Sequence, residues 1–394
     1  MKKIKILLRD FRKALINNEI VNFNIGTTAH APGAVALLEK YLPECEVCVW
    51  ASAPLSRPLA EMMRRRFPDV KIVCGTLDSS HPEVEAAARW CDLLLIGPGT
   101  GIAVPRDVEA FVRYSGKPYG AAGIGYADKD LEKMRQSGFI FLRDTIALQS
   151  AEEADLGVPT GFVPDGAFEF DASDDAGALD FLNKYGLEPG KFVCCLPRYR
   201  YTPMWEFYPG DTYPADRIAY NKSFIAQDMQ PLANAICRVV REKGLKVLLS
   251  PETEPATRLC KNELFAMLPE DVKPYIAVMD DFWEADLALG VYKQSLGVWG
   301  IEMHSQVMAI GNGIPAIVCR TREFGSKSQM WNDLGLDEWL FDFDIPQDRE
   351  RFPRAVMQML NDAEHTAELV KNARAVLKER FTFFGDFMRK IYGK

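Results

Sequence analysis

The chain has 394 residues, 48% of them apolar and 26% charged, with 47 Lys and Arg against 55 Asp and Glu. The resulting net charge of −8 excludes a globally basic nucleic-acid or membrane binder, and the composition excludes a disordered, collagen-like or coiled-coil chain. The length exceeds what one hydrophobic core usually holds, so two domains are expected.

The N-terminus, MKKIKILLRDFRK, is basic, but its apolar centre is only Ile6-Leu7-Leu8 before charge resumes at Arg9. A secretory signal needs an apolar stretch of about 7–15 residues, so a first β-strand is expected instead. No run reaches the roughly 20 apolar residues that span a bilayer.

From there short apolar runs alternate with helical patterns. Strands are expected at 45–52, 70–75, 92–102 and 117–125, with helices at 58–68, 82–90 and 106–116. A second series follows an acidic, helical segment at 171–190. It has strands at 191–198, 246–250 and 314–320 and helices at 227–244 and 305–313. Continuous apolar strands separated by helices predict parallel sheets covered on both faces. The reading is therefore α/β: an N-terminal domain over 1–175, a C-terminal domain over 190–360, and a C-terminal amphipathic helix over 361–394. In that helix Val370, Ala373, Leu377, Phe381, Phe384, Met388 and Ile391 recur at spacings of three and four, which predicts packing back onto the body.

Nine cysteines are dispersed along the chain. Cys45 and Cys48 form the one CxxC, and no second pair follows at zinc-site spacing. Reduced thiols, no metal and a cytoplasmic location are the expectation.

Five segments could carry chemistry. In the first, Asn24-Ile25-Gly26 forms a turn, followed by Thr27, His30, Pro32-Gly33 and a helix through Leu38. Such a turn lets backbone approach a ligand and presents a helix N-terminus. In the second, Gly97-Pro98-Gly99-Thr100-Gly101 follows an apolar strand, where α/β domains bind ligands. Its spacing is neither GxGxxG nor a P-loop, so a dinucleotide or ATP site is not indicated.

In the third, Arg143-Asp144 and Pro164-Asp165 each end an apolar run, which places them at a sheet rim. The fourth, residues 297–331, gathers Glu302, His304, Arg320, Arg322 and Lys327 around one strand–helix–strand unit. His suits proton transfer near neutrality, and Arg and Lys suit phosphate and carboxylate. In the fifth, Arg198 and Arg200 close a strand beside Tyr199, Tyr201 and Trp205, a set that suits an anionic or sugar-like ligand or a packed loop. His81 and His365 read as surface residues.

In this order the segments resemble the polysaccharide pyruvyl transferase family over about residues 22–342. The resemblance rests on Asn24-Ile25-Gly26, the Gly-rich turn, Arg143-Asp144 and Pro164-Asp165-Gly166-Ala167-Phe168, and on His304, Gly313-Ile314-Pro315, Lys327 and Leu334-Gly335-Leu336. It implies two Rossmann-like domains facing across a cleft, as in the GT-B architecture. It also implies transfer of pyruvate from phosphoenolpyruvate, a co-substrate in place of any cofactor, to a sugar of a cell-surface glycan or its precursor. His304 and Glu302 then fall at catalytic positions, and Arg198, Arg200, Arg320 and Lys327 bind the donor. Asn24, Thr27, His30, Gly99, Thr100, Arg143 and Asp165 line the acceptor side.

Two departures stand out: Thr27 replaces an Asp of the family pattern, and Glu302 replaces the Arg of its Arg-x-His motif. An acid facing an anionic donor needs a neighbouring cation, for which Arg320 or Arg322 is expected. The implied partner is a free or lipid-linked glycan, with peripheral membrane contact open and no nucleic acid. A GT-B glycosyltransferase using a nucleotide sugar is the alternative reading, and a non-catalytic glycan-binding relative a further one.

Overall fold

A computed structural model describes residues 3–11, 15–16, 18–207 and 213–393. The first two residues of the predicted N-terminal strand segment, its Arg12 and Lys13, Tyr208 of the aromatic loop and the terminal Lys394 lie outside them. The strands are β1 (Ile4–Arg9), β2 (Leu15–Ile16), β3 (Glu19–Ile20), β4 (Cys45–Ala51), β5 (Lys71–Cys74), β6 (Leu93–Ile96), β7 (Tyr119–Ile124), β8 (Ile140–Leu142) and β9 (Thr160–Phe162). They continue with β10 (Phe192–Leu196), β11 (Lys246–Leu249), β12 (Ile276–Val278), β13 (Val298–Gly300), β14 (Ala316–Arg320) and β15 (Leu340–Asp342).

The chain divides into two compact units. One comprises residues 1–22, 26–172 and 374–394; the other comprises 23–25 and 173–373. The first holds a seven-stranded sheet ordered β5-β4-β1-β6-β7-β8-β9, and the second a six-stranded sheet ordered β12-β11-β10-β13-β14-β15. Every pairing in both sheets is parallel. Counted within each sheet, the order starts 3-2-1-4-5-6, the doubly wound Rossmann arrangement. Its ligand crevice lies beyond the carboxyl ends of the first and fourth strands.

The strands read as continuous apolar runs because helices cover both faces. Leu93–Ile96 and Phe192–Leu196 are buried throughout. The separate β2–β3 hairpin is antiparallel.

The helix Ile25–Tyr41 departs from expectation. It begins before His30 and runs straight through Pro32. A proline inside a helix forfeits a backbone hydrogen bond. Here the helix is buried on nearly every side from Ala29 to Leu38, and that burial offsets the loss. Gly33 makes the packing possible: a Cβ there would stand 2.5 Å from the Gly166 carbonyl oxygen. A helix buried all round lacks the amphipathic period by which helices are recognised.

The last helix, Ala363–Tyr392, starts in the second unit and ends in the first. Six of its seven predicted apolar positions are buried, while Ile391 is 49% exposed. In the first unit Phe139 and Phe141 meet Phe387 edge-on at 5.3 and 4.9 Å. Such aromatic pairs add about 0.5–1.5 kcal/mol each beyond area burial.

Candidate active site

The second unit builds its charged site at the carboxyl ends of three adjacent strands. β10 runs out into Arg198, β13 into Glu302 and His304, and β11 into Glu252. Gly300 sets the spacing of the first two. Its φ is +148°, and a Cβ there would lie 2.1 Å from the Leu196 carbonyl oxygen, so only glycine lets β13 end this close to β10.

Arg198 Nη1 donates to Glu302 Oε2 at 2.6 Å. The Glu302 side chain is fully buried, and its Oε1 has no hydrogen-bond partner among the described residues; neither has Arg198 Nε. Burial pushes the Glu302 carboxyl up to about 8, and the nearby Glu252 charge adds to the shift against the pull of Arg198 and Lys327.

Glu252 is also fully buried, yet it shifts the other way. One oxygen accepts the Ser305 backbone N–H at 2.7 Å, and the other faces His304 Nδ1 at 3.3 Å. Burial alone would raise its pKa. The His304 hydrogen bond and charge, the Ser305 N–H and Lys327 outweigh it and hold the carboxyl at about 2.

His304 opens the helix His304–Gly311. A carboxylate only accepts, so the Nδ1–Glu252 contact assigns the imidazole proton to Nδ1. Lys327 Nζ lies 4.4 Å and the Arg198 guanidinium 5.2 Å from the centroid of the Phe324 ring, which holds both cations by cation–π attraction.

The other predicted donor-side cations are placed differently. Arg200 is 4% exposed. It donates to both oxygens of Asp228 at 2.8 and 2.9 Å and to Asp344 at 2.7 Å, and its guanidinium lies 3.7 Å from the Phe224 ring centroid. Arg200 is an internal tie, not a donor ligand. Arg320 pairs with Asp342 of neighbouring β15 at 2.7 Å, and Arg322 with Asp344 at 3.4 Å. The cation beside Glu302 is therefore Arg198, instead of Arg320 or Arg322.

The aromatic loop is pinned as well. Tyr201 exchanges two backbone hydrogen bonds with the Asn221 side chain and packs 5.4 Å from Tyr220, the packed-loop alternative.

The first unit gathers a second charged set at the same edge of its sheet. Arg143 and Asp144 follow β8, Asp165 follows β9, and His30 comes from the helix Ile25–Tyr41. All four are at least nine-tenths buried. Asp144 Oδ1 accepts the Ala147 N–H at 2.8 Å and Asp165 Oδ1 the Ala167 N–H at 2.9 Å, so both acids serve as N-caps. Asp165 Oδ2 lies 3.8 Å from both His30 Nε2 and Arg143 Nη1, and Arg143 Nε 3.9 Å from Asp144 Oδ2. These separations are too long for hydrogen bonds, and Arg143 Nε and Asp165 Oδ2 have no such partner among the described residues.

Gly99 bridges to Ile124 and accepts the Gly125 N–H at 2.8 Å, while Thr100 is exposed beside it. Thr27 is half-buried in the first helical turn. Asn24 belongs with the second unit, where it bridges to Thr253.

Cys45 and Cys48 lie three residues apart on β4. Residues at an odd spacing on a strand face opposite sides of the sheet, so the pair forms no common ligand set. All nine cysteines are free thiols.

Sequence reasoning missed Glu252. Its signal was an acid between Pro251 and Pro255 directly after an apolar strand, in the position where the other strand ends carried candidates.

No family model and no curated protein matches this sequence. Solved structures match it end to end. S. aureus MnaA, solved with UDP, superposes with a TM-score of 0.57 at 13% identity over 98% of each chain. The UDP-GlcNAc 2-epimerase from Neisseria meningitidis, bound to UDP-GlcNAc, gives 0.56 at 10% identity over 98% of this chain and 100% of that one. The trehalose 6-phosphate synthase from Burkholderia multivorans gives 0.53 at 10% identity over 99% and 98%. The chain has the GT-B fold. At these identities the likeness concerns the fold. Among the described residues no helix is long and apolar enough to cross a membrane.

Proposed function

We propose that this chain is a GT-B enzyme acting on a nucleotide sugar. Its donor site is the Arg198, Glu302, His304 and Lys327 set of the second unit, with Glu252 holding His304 in place. One observation carries the reading: two cations, a histidine and two oppositely shifted carboxyls converge at the ligand crevice of a Rossmann sheet. Solved relatives in fold hold UDP and UDP-GlcNAc, which supports a nucleoside diphosphate as the anion.

Lys327 and Arg198 then hold the diphosphate as charge-assisted hydrogen-bond donors. His304 accepts or delivers a proton at the reacting sugar. Glu302, kept protonated by burial, does not repel the donor. The buried His30, Arg143 and Asp165 set of the first unit offers polar groups that suit sugar hydroxyls. A cytoplasmic enzyme working on a cell-surface glycan precursor, free or lipid-linked, fits this assignment.

Pyruvyl transfer is the second reading. Arg198 and Lys327 would serve the phosphate and carboxylate of phosphoenolpyruvate as they would a diphosphate, and a protonated Glu302 would repel neither.

Thermal stability with UDP-GlcNAc, UDP and phosphoenolpyruvate separates the two. A ligand at 100 times its Kd adds about 2.7 kcal/mol of stability. A shift with UDP or UDP-GlcNAc that vanishes in Arg198→Ala is expected. A shift with phosphoenolpyruvate alone transfers the assignment to pyruvyl transfer, and no shift with any of the three overturns both.

A further inference from the structure

Glu252 touches two successive residues of one helix start, and its two oxygens do different work. Oε2 accepts the Ser305 N–H at 2.7 Å, which anchors the start of the His304 helix. Oε1 meets the His304 ring at Nδ1, 3.3 Å away.

The turn that carries Glu252 is itself held by three hydrogen bonds. The Ile25 N–H donates to the Glu252 carbonyl oxygen at 3.1 Å, and the Glu254 N–H donates to that of Phe23 at 3.0 Å. Trp283 Nε1 donates to the Pro251 carbonyl oxygen at 2.9 Å. A carboxylate on so fixed a turn, with no exposure to water, clamps both the orientation and the tautomer of the imidazole.

We infer that Glu252 is the positioning residue of His304: it keeps the ring proton on Nδ1 and makes Nε2 the nitrogen that exchanges a proton with substrate. This rests on the nucleotide-sugar reading above. In the transfer step the acceptor hydroxyl gives its proton to Nε2. The electron pair left on that oxygen forms the bond to the anomeric carbon of the donor sugar. The bond from that carbon to the diphosphate oxygen breaks, and its pair leaves with the nucleoside diphosphate. The imidazolium so formed keeps Nδ1–H against the Glu252 carboxylate, whose negative charge stabilises it. Glu252 stays ionised throughout, because the same contacts hold its carboxyl at about 2.

Glu252→Gln separates the two jobs. The amide oxygen still accepts from Ser305, but the amide nitrogen now faces Nδ1. That forces Nδ1 to accept and moves the ring proton to Nε2. The measurement is the ¹⁵N spectrum of histidine-labelled protein, with His304 assigned through His304→Asn, together with UDP release from UDP-GlcNAc.

The expected result is an Nδ1–H ring in the wild type and an Nε2–H ring in Glu252→Gln. Alongside it kcat falls at least about 100-fold while KM for UDP-GlcNAc changes less than about threefold. An Nε2–H ring in the wild type overturns the inference even where the variant does not fold. So does an unchanged ring in Glu252→Gln, or a switched ring with full turnover. If the wild type shows the Nδ1–H ring but binds no UDP-GlcNAc, the nucleotide-sugar reading fails and takes the catalytic half of this inference with it. The Glu252–His304 geometry then stands alone.

Discussion

The two units carry the same strand order, and each places buried ionisable groups at the carboxyl edge of its sheet. They differ in how those groups are held. In the second unit Arg198 meets Glu302 at 2.6 Å and His304 meets Glu252 at 3.3 Å. In the first, the nearest charged atoms of His30, Arg143, Asp144 and Asp165 stand 3.8–3.9 Å apart. Both acids of the first unit use one oxygen to cap a helical turn. In the second unit Glu252 likewise accepts a backbone N–H, from Ser305, but its other oxygen faces His304, and Glu302 is held by Arg198. One topology thus supports a set with a tightly paired cation and carboxyl and another in which Asp165 Oδ2 stands apart from its charged neighbours.

The largest expected effect concerns the tie beneath the second set. Arg200 satisfies Asp228 and Asp344 together. Arg200→Ala leaves buried Asp228 without its cation, which costs about 3–5 kcal/mol in systems of this kind. Exposed Arg322 shares Asp344, and its replacement by Ala should leave stability nearly unchanged. Urea unfolding of both variants checks the contrast. Equal midpoints would show that the second unit owes no rigidity to Arg200.

Next in size is the chemical role that the tight geometry supports. His304→Ala should lower turnover of UDP-GlcNAc by about 10²-fold or more, with little change in its binding. A loss of binding with unchanged kcat would make His304 a donor ligand and remove the distinction between an organised catalytic set and a plain anion site.

Much of the fold was visible in the sequence, and the missing part has physical causes. The alternation of apolar runs and helices foretold parallel sheets. Arg198, Arg143 and Asp165 were singled out because each closes an apolar run, and His304 because it precedes a helix beside Glu302 with cations downstream. The helix through Pro32 was not, because burial on all sides erases the periodic signal. Arg200 read as a ligand residue because its three partners, Asp228, Glu323 and Asp344, come from 28 to 144 positions away. Such pairing depends on tertiary closure, which spacing along the chain does not record. Glu252 escaped for the same reason: its partner is 52 residues downstream.

Acid–base behaviour sharpens the comparison further, because the two carboxyls of the second unit shift in opposite directions. Glu302 rises from an ordinary 4.5 to about 8 through burial. The folded protein then holds a proton that the unfolded chain has lost, so stability falls as pH climbs from about 4.5 to about 8. Glu252 drops from 4.5 to about 2. Its contribution is complete above about 4.5 and is lost as pH falls toward about 2. Melting curves of Glu302→Gln and wild type should diverge steadily as pH rises from about 4.5 to about 8 and run parallel below that range, with the variant less sensitive to rising pH. Parallel curves across the whole range would mean that Glu302 is ionised in its pair with Arg198.

The smallest effect is expected in the first unit. Asp165→Asn keeps the oxygen that accepts the Ala167 N–H and replaces Oδ2, which has no hydrogen-bond partner among the described residues. Asp144 remains 3.9 Å from Arg143 to balance it. Unfolding free energy should therefore change by about 1 kcal/mol or less, well below the 3–5 kcal/mol expected for breaking a tight buried pair. Binding of a sugar acceptor should suffer more than stability does, because a loosely engaged carboxylate keeps its acceptor capacity for a hydroxyl. A loss of several kcal/mol in stability would show instead that Asp165 is a structural counter-ion for Arg143, and that the first unit's charges are held as firmly as those around Arg200.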